Sequence, residues 1–262
     1  MLSNSLIKNN LSPISKICLA GLFIALATIL QKVVAINYIP ALPFLRISLG
    51  GPAVIIFSSI FLGPLYGLLV GAGSDILGYF ALDFSGYAYM PQVTAIYAML
   101  GFLPYFIFIL IKRVQSKRVM LIAESSILGA IFLATSLFVI LNDSMTMYST
   151  TYTFELWQKI LIPVILGLLL GFVIVFTILF DKRSSKRDEK PLLNTYQLSL
   201  SLFVIELLVM VIFGTLMKGW AFGFQTYFAI LICQIIVLFI NVPLNIVLVS
   251  LLLRITKNKF EK

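Results

Sequence analysis

The chain has 262 residues, 61% of them hydrophobic and 11% charged, with a mean hydropathy of +1.08. A soluble domain carries about 25% charged residues, so lipid is the solvent for most of this chain and a second, water-soluble domain does not fit. Histidine is absent, and Cys18 and Cys233 sit in apolar runs, which excludes a His/Cys metal site, a Cys–His or Ser–His catalytic pair and a disulfide framework. The net charge of +9 gathers at Lys112–Arg118, Lys182–Lys190 and Arg254–Lys262, between or after apolar runs. Membrane flanks carry basic residues in that way, so the charge does not point to nucleic acid.

A membrane-crossing helix needs about 20 mostly apolar residues. Eight segments qualify, at roughly 15–36, 48–62, 64–82, 92–112, 119–141, 158–180, 196–216 and 227–253. The polar start, MLSNSLIKNNLSPISK, leads into an apolar run with no clear cleavage site, so the first segment reads as a retained helix. It places Gly21, Ala25 and Thr28 on one face. Small residues at that spacing serve either close packing inside the monomer or docking of another membrane subunit.

The loop NYIPALPFLR (37–46) ends in Arg46, which either snorkels to headgroups or clamps a polar ligand edge with two parallel hydrogen bonds. Gly63-Pro64 joins the second and third segments. The pair predicts a tight turn with proline opening the next helix.

The third segment carries a bare stripe: Gly63, Gly67, Gly71 and Asp75, followed by Gly78. Residues four apart share a helix face, so the stripe predicts close backbone approach with one inward-facing carboxylate. The loop DFSGYAYMPQ (83–92) is aromatic-rich, and NDSMTMYSTTYTFELW (142–157) is hydroxyl-rich.

Polar residues inside spans carry a cost and call for a reason. Glu124 lies near Lys117 and Arg118, which predicts a local ion pair. Glu206 has no sequence neighbour to pair with. Asn241 and Asn245 flank Pro243, either to satisfy backbone groups that the proline releases or to contact a ligand.

Placing both termini inside assigns 15 basic residues to the inner side and four (Lys32, Arg46, Lys159, Lys218) to the outer side. The positive-inside rule thus predicts an even number of spans and a multi-pass protein of the cell membrane with cytoplasmic termini. The sequence has no GxxxxGK[ST] phosphate loop, so the chain does not hydrolyse ATP by itself. No acid–base pair for catalysis is recognisable either, and the chain does not read as an enzyme.

The run LPFLRISLGGPAVIIFSSIFLGPLYGLLVGAGSDILGYF (42–80) resembles the substrate-binding S components of energy-coupling factor (ECF) vitamin transporters, most closely the folate group. The shared elements are Arg46-Ile47-Ser48, Gly63-Pro64-Leu65-Tyr66-Gly67 and Gly71-Ala72-Gly73-Ser74-Asp75-Ile76-Leu77-Gly78, then GYAYMPQVT (86–94). Gly21 and Ala25 are similar to the family's A-x-x-x-A docking element. The resemblance implies an all-α membrane domain spanning 1–262, with a six-helix core at about 15–112 and 196–253 and an inserted hairpin at about 119–190. It also departs from the family: the stretch LICQIIV (231–237) lacks the two basic residues that the last helix of folate binders often carries.

The resemblance further implies capture of a folate-like or other B-type vitamin at the outer face, as the binding subunit of an ATP-driven importer. The chain itself would hold no cofactor. A transmembrane coupling subunit would dock on Gly21 and Ala25, and two cytoplasmic ATPases would hydrolyse ATP. The expected ligand residues are Arg46, Tyr87, Tyr89, Gln92, Trp220 and Gln225, with Asp75, Asn241 and Asn245 beside them. Asp75 either touches ligand or locks its helix to a neighbour. The competing expectation is a stand-alone secondary transporter that uses Asp75 and Glu206 as ion or proton sites.

Overall fold

A computed structural model describes residues 11–36, 47–48, 50–82, 88–147, 150–185, 194–223 and 226–260. Helix α1 (Pro13–Lys32) starts where Ser12 accepts the Ser15 amide at 3.2 Å and Pro13 occupies the first turn. Proline fits there because its missing N–H has no intrahelical partner in any case. A two-residue strand β1 (Ala35–Ile36) pairs antiparallel with β2 (Ile47–Ser48), so the ends of the intervening segment lie side by side.

Helix α2 (Gly51–Leu62) is buried along all twelve residues. Twelve residues rising about 1.5 Å each give roughly 18 Å, well short of a hydrocarbon core about 30 Å thick. Among the described residues, seven helical rods are by themselves long and apolar enough to cross. The shorter α2 is enclosed by the others and returns the chain between α1 and α3, which run parallel: Lys16 lies over Tyr66 and Lys32 over Gly78. Gly63 then turns the chain at φ 103°, a backbone state that disfavours any residue with a Cβ, and Pro64 opens α3 (Pro64–Leu82) as the sequence predicts.

Helix α4 (Pro91–Lys112) follows, then α5 (Lys117–Leu141) and α6 (Leu156–Ser185). Between α5 and α6 the hydroxyl-rich loop forms a hairpin, β3 (Ser144–Met147) against β4 (Thr150–Thr153), with Met145 of β3 and Phe154, just after β4, buried. The next rod is compound. Helix α7 (Thr195–Ile205) passes into a π-helical segment (Glu206–Phe213) and then α8 (Gly214–Phe222). Helix α9 (Tyr227–Phe260) runs through Pro243 without interruption. The protein is an all-α membrane protein, with only these two short β ribbons among the described residues.

Packing follows the glycine stripe. A Cβ built on Gly67 would overlap the Gly101 carbonyl oxygen, and one on Gly71 would overlap that of Tyr97. As α3 advances by four residues, its contact on α4 retreats by four, so the two helices run antiparallel with backbones in direct contact. Lipid tails are as apolar as leucine, so hydrophobic burial drives little of this association; close van der Waals contact does. On its other side, α3 meets α1: Thr28 donates to the Ser74 carbonyl at 3.1 Å, and Gly78 sits under Lys32.

The α5–α6 pair packs chiefly on itself and against α7 and α9. At the end that holds the chain's basic flanks, Gln197 donates to the Val114 carbonyl at 2.9 Å, and Lys117 pairs with Asp181 at 3.2 Å. At the opposite end, Phe138 stacks on Phe228 with ring centroids 5.0 Å apart.

Candidate functional site

The close approach of α3 and α4 sets the geometry at the aromatic end. It brings Thr94, in the first turn of α4, against Asp75, in the C-terminal half of α3. Thr94 Oγ1 donates to Asp75 Oδ2 at 2.6 Å, and the Tyr89 hydroxyl lies 2.6 Å from Thr94 Oγ1. A threonine hydroxyl has one hydrogen. Since that hydrogen goes to Asp75, the Tyr89 O–H donates to Thr94. The result is a directed relay, Tyr89 to Thr94 to Asp75, ending on a carboxylate that is 6% exposed.

Aromatic rings flank the relay. The Tyr79 and Tyr89 centroids are 5.2 Å apart, and those of Phe80 and Tyr89 are 5.7 Å apart. Phe80 is 73% exposed. A carboxylate accepts hydrogen bonds and offers none, and aromatic faces stack on flat rings. Together they suit a planar ligand that presents N–H or O–H groups along one edge.

Of the residues expected from sequence, Asp75 and Tyr89 are thus joined through Thr94, which the motif GYAYMPQVT contains but which was not singled out. Gln92 lies half-buried in the first turn of α4, two residues before Thr94. Trp220 is exposed on α8. Arg46, Tyr87 and Gln225 lie outside the described residues. Gly21 and Ala25 stand exposed on α1, and a Cβ on Gly21 would meet nothing within 4 Å. Thr28, expected on the same face, is instead buried against α3.

Asn241 and Asn245 are not at the aromatic cluster. Both are buried on α9, and Asn245 Nδ2 donates to Glu206 Oε1 at 2.7 Å. Glu206, which has no partner in sequence, finds one across the bundle. The expected ion pair of Glu124 with Lys117 or Arg118 is corrected: Ser199 donates to Glu124 Oε1 at 2.7 Å, while Lys117 reaches Asp181. Glu124 points inward, where it is 2% exposed, and the basic side chains project to the solvated end. Thr177 lies 3.3 Å from Ser199, so this second polar cluster ties α5, α6 and α7 together.

Asp143, beyond the end of α5, contacts Lys159 in the first turn of α6 at 2.5 Å. The hydrogen bond and the adjacent ammonium charge hold the Asp143 carboxyl below its ordinary value. Among the described residues, no three metal-ligating side chains gather at one place. The chain matches no protein-family model, no curated protein and no solved structure.

Proposed function

We propose that this protein is the substrate-binding subunit of an ECF-type importer, taking up a planar vitamin, folate-like or another of the B group. The observation that carries the reading is the Tyr89–Thr94–Asp75 relay. It lies at the end of the run whose residues resemble those subunits, and aromatic rings flank it. A buried carboxylate aligned by a hydroxyl suits a ligand edge with hydrogen-bond donors. The absence of basic residues in LICQIIV (231–237) favours a vitamin with fewer carboxylates than folate.

The uncovered Gly21 and Ala25 on α1 are the face offered to a transmembrane coupling subunit, which recruits two cytoplasmic ATPases. The basic end of the bundle, with Gln197, Lys112 and Lys117, faces the cytoplasm and carries both termini in this reading. The chain binds no cofactor and performs no chemistry; the plasma membrane is its site of action.

The buried Glu206–Asn245 pair supports a second reading, a stand-alone transporter driven by an ion or proton gradient. Uptake into liposomes separates the two. The importer reading expects no gradient-driven uptake by the purified chain, and ATP-dependent uptake once partner subunits are added. Direct binding is tested by titrating the purified chain with a panel of B vitamins while following the fluorescence of Trp157 and Trp220, both exposed. Saturable quenching by one vitamin supports the reading, and a flat response to all of them opposes it.

A further inference from the structure

Glu206 and Asn245 are each 0% exposed, and Asn241, one turn earlier on the same helix, is 3% exposed. The pair makes one hydrogen bond, from Asn245 Nδ2 to Glu206 Oε1 at 2.7 Å. Its two remaining oxygens, Glu206 Oε2 and Asn245 Oδ1, are buried without a donor, as is Asn241 Oδ1. An ionised carboxyl and an amide carbonyl are both acceptors, so neither can satisfy the other. Buried polar atoms left in that state are rare and costly.

One hydrogen resolves both vacancies. Placed on Glu206 Oε2, it turns that atom into a donor beside a planar amide whose nitrogen already bonds the same carboxyl. The two groups then close a ring of two hydrogen bonds, and the charge disappears from the membrane interior, where an unpaired carboxylate is strongly disfavoured. Among the described residues, no basic side chain pairs with Glu206. The elements packed against the π-helical segment bring Tyr97, Tyr105 and Lys112 on α4, Tyr196 on α7, Lys218 on α8, and Tyr227, Cys233 and Arg254 on α9. Glu206 bonds to none of them. Glu206 also opens the π-helical segment, a backbone feature that concentrates at functional positions. Glu124 also leaves its Oε2 without a donor, but its bonded partner is the Ser199 hydroxyl, which has no carbonyl to accept a hydrogen in return.

We propose that Glu206 and Asn245 form a proton-binding site inside the membrane, in which Glu206 Oε2 carries the hydrogen and donates it to Asn245 Oδ1. Asn241 Oδ1 offers a second acceptor one turn away. The inference does not depend on the vitamin-binding reading, because it concerns the occupancy of this pair alone.

The test is infrared difference spectroscopy of the intact chain in lipid nanodiscs at pH 7, without added substrate, comparing wild type with Glu206→Gln. A carboxylic-acid carbonyl band present in wild type and lost in the variant is expected. Asn245→Leu should move that band to higher frequency, because the acid loses its acceptor; a role confined to packing would not shift it. Glu206→Gln reproduces the neutral two-bond ring, so it should unfold at the same detergent concentration as wild type. Three results overturn the proposal. They are no difference band, a Gln variant that is markedly less stable or fails to fold, or a band that appears only after sodium and potassium are removed. The last would mean that a cation holds the site.

Discussion

Replacing Gly71 with alanine tests whether backbone contact between α3 and α4 organises this fold. A Cβ there would lie 2.7 Å from the Tyr97 carbonyl carbon, whereas carbon atoms settle at about 3.5–4.0 Å. The helices must separate by about 1 Å, which forfeits about a quarter to a half of each contact of about 0.1–0.2 kcal/mol. Over the roughly 50 atom pairs that surround one buried side chain, the loss is about 1–5 kcal/mol. That agrees with the penalty of about 1–3 kcal/mol for overpacked cores. Alanine returns about 0.8–1.0 kcal/mol of helix propensity, but Gly171→Ala returns the same amount, and a Cβ at Gly171 meets nothing within 4 Å. The difference between the two variants therefore isolates the packing term. Circular dichroism during titration with a denaturing detergent measures it. If Gly71→Ala proves as stable as Gly171→Ala, the close-contact account of the stripe is wrong.

Other consequences follow from the polar contacts. Thr94→Val keeps the side-chain shape but removes the hydroxyl that donates to Asp75; unfolding midpoints should fall by the equivalent of about 1–3 kcal/mol. Ser199→Ala strips Glu124 of its donor and should cost a similar amount, about 1–3 kcal/mol. Lys117→Ala breaks a partly exposed pair with Asp181 and a cation–π contact with Tyr196 and should cost under about 2 kcal/mol; a larger loss for Lys117→Ala than for Ser199→Ala would restore the local ion pair that the sequence suggests. Asp143 is held below its ordinary value by Lys159. Its contribution is therefore present above the unfolded Asp value and is lost as pH falls through the lowered folded value. Carboxyl-resolved NMR titration should show Asp143 moving back up in Lys159→Gln, and an unchanged midpoint would remove the pairing.

The helices were legible because lipid imposes length and apolarity on every span, and proline marks the starts at Pro13, Pro64 and Pro91. The stripe was legible too, since Gly67, Gly71 and Asp75 need only helical spacing to share a face. Its partner Gly101 was not, because which glycine opposes which depends on how two helices align. The enclosure of α2 was not legible for a similar reason: an apolar run that is buried by protein looks the same in sequence as one that faces lipid. Nothing local distinguishes ELLVMVIF as π-helical, and the extra residue per turn there reflects tertiary fit. Glu124 shows the limit of neighbour reasoning. Its nearest charges in sequence extend to the solvated end, while the hydroxyl that it uses arrives 75 residues later.

The central claim is that the Tyr89–Thr94–Asp75 relay and its aromatic flank receive a planar vitamin. Isothermal titration of the purified chain with each B vitamin, repeated with Thr94→Val and Asp75→Asn, tests it most directly. The account predicts saturable binding of one vitamin, weakened at least tenfold in Thr94→Val, a loss of about 1.4 kcal/mol or more. Binding that both variants leave unchanged, or no binding of any vitamin by a chain that takes up solute on an ion gradient alone, would contradict it.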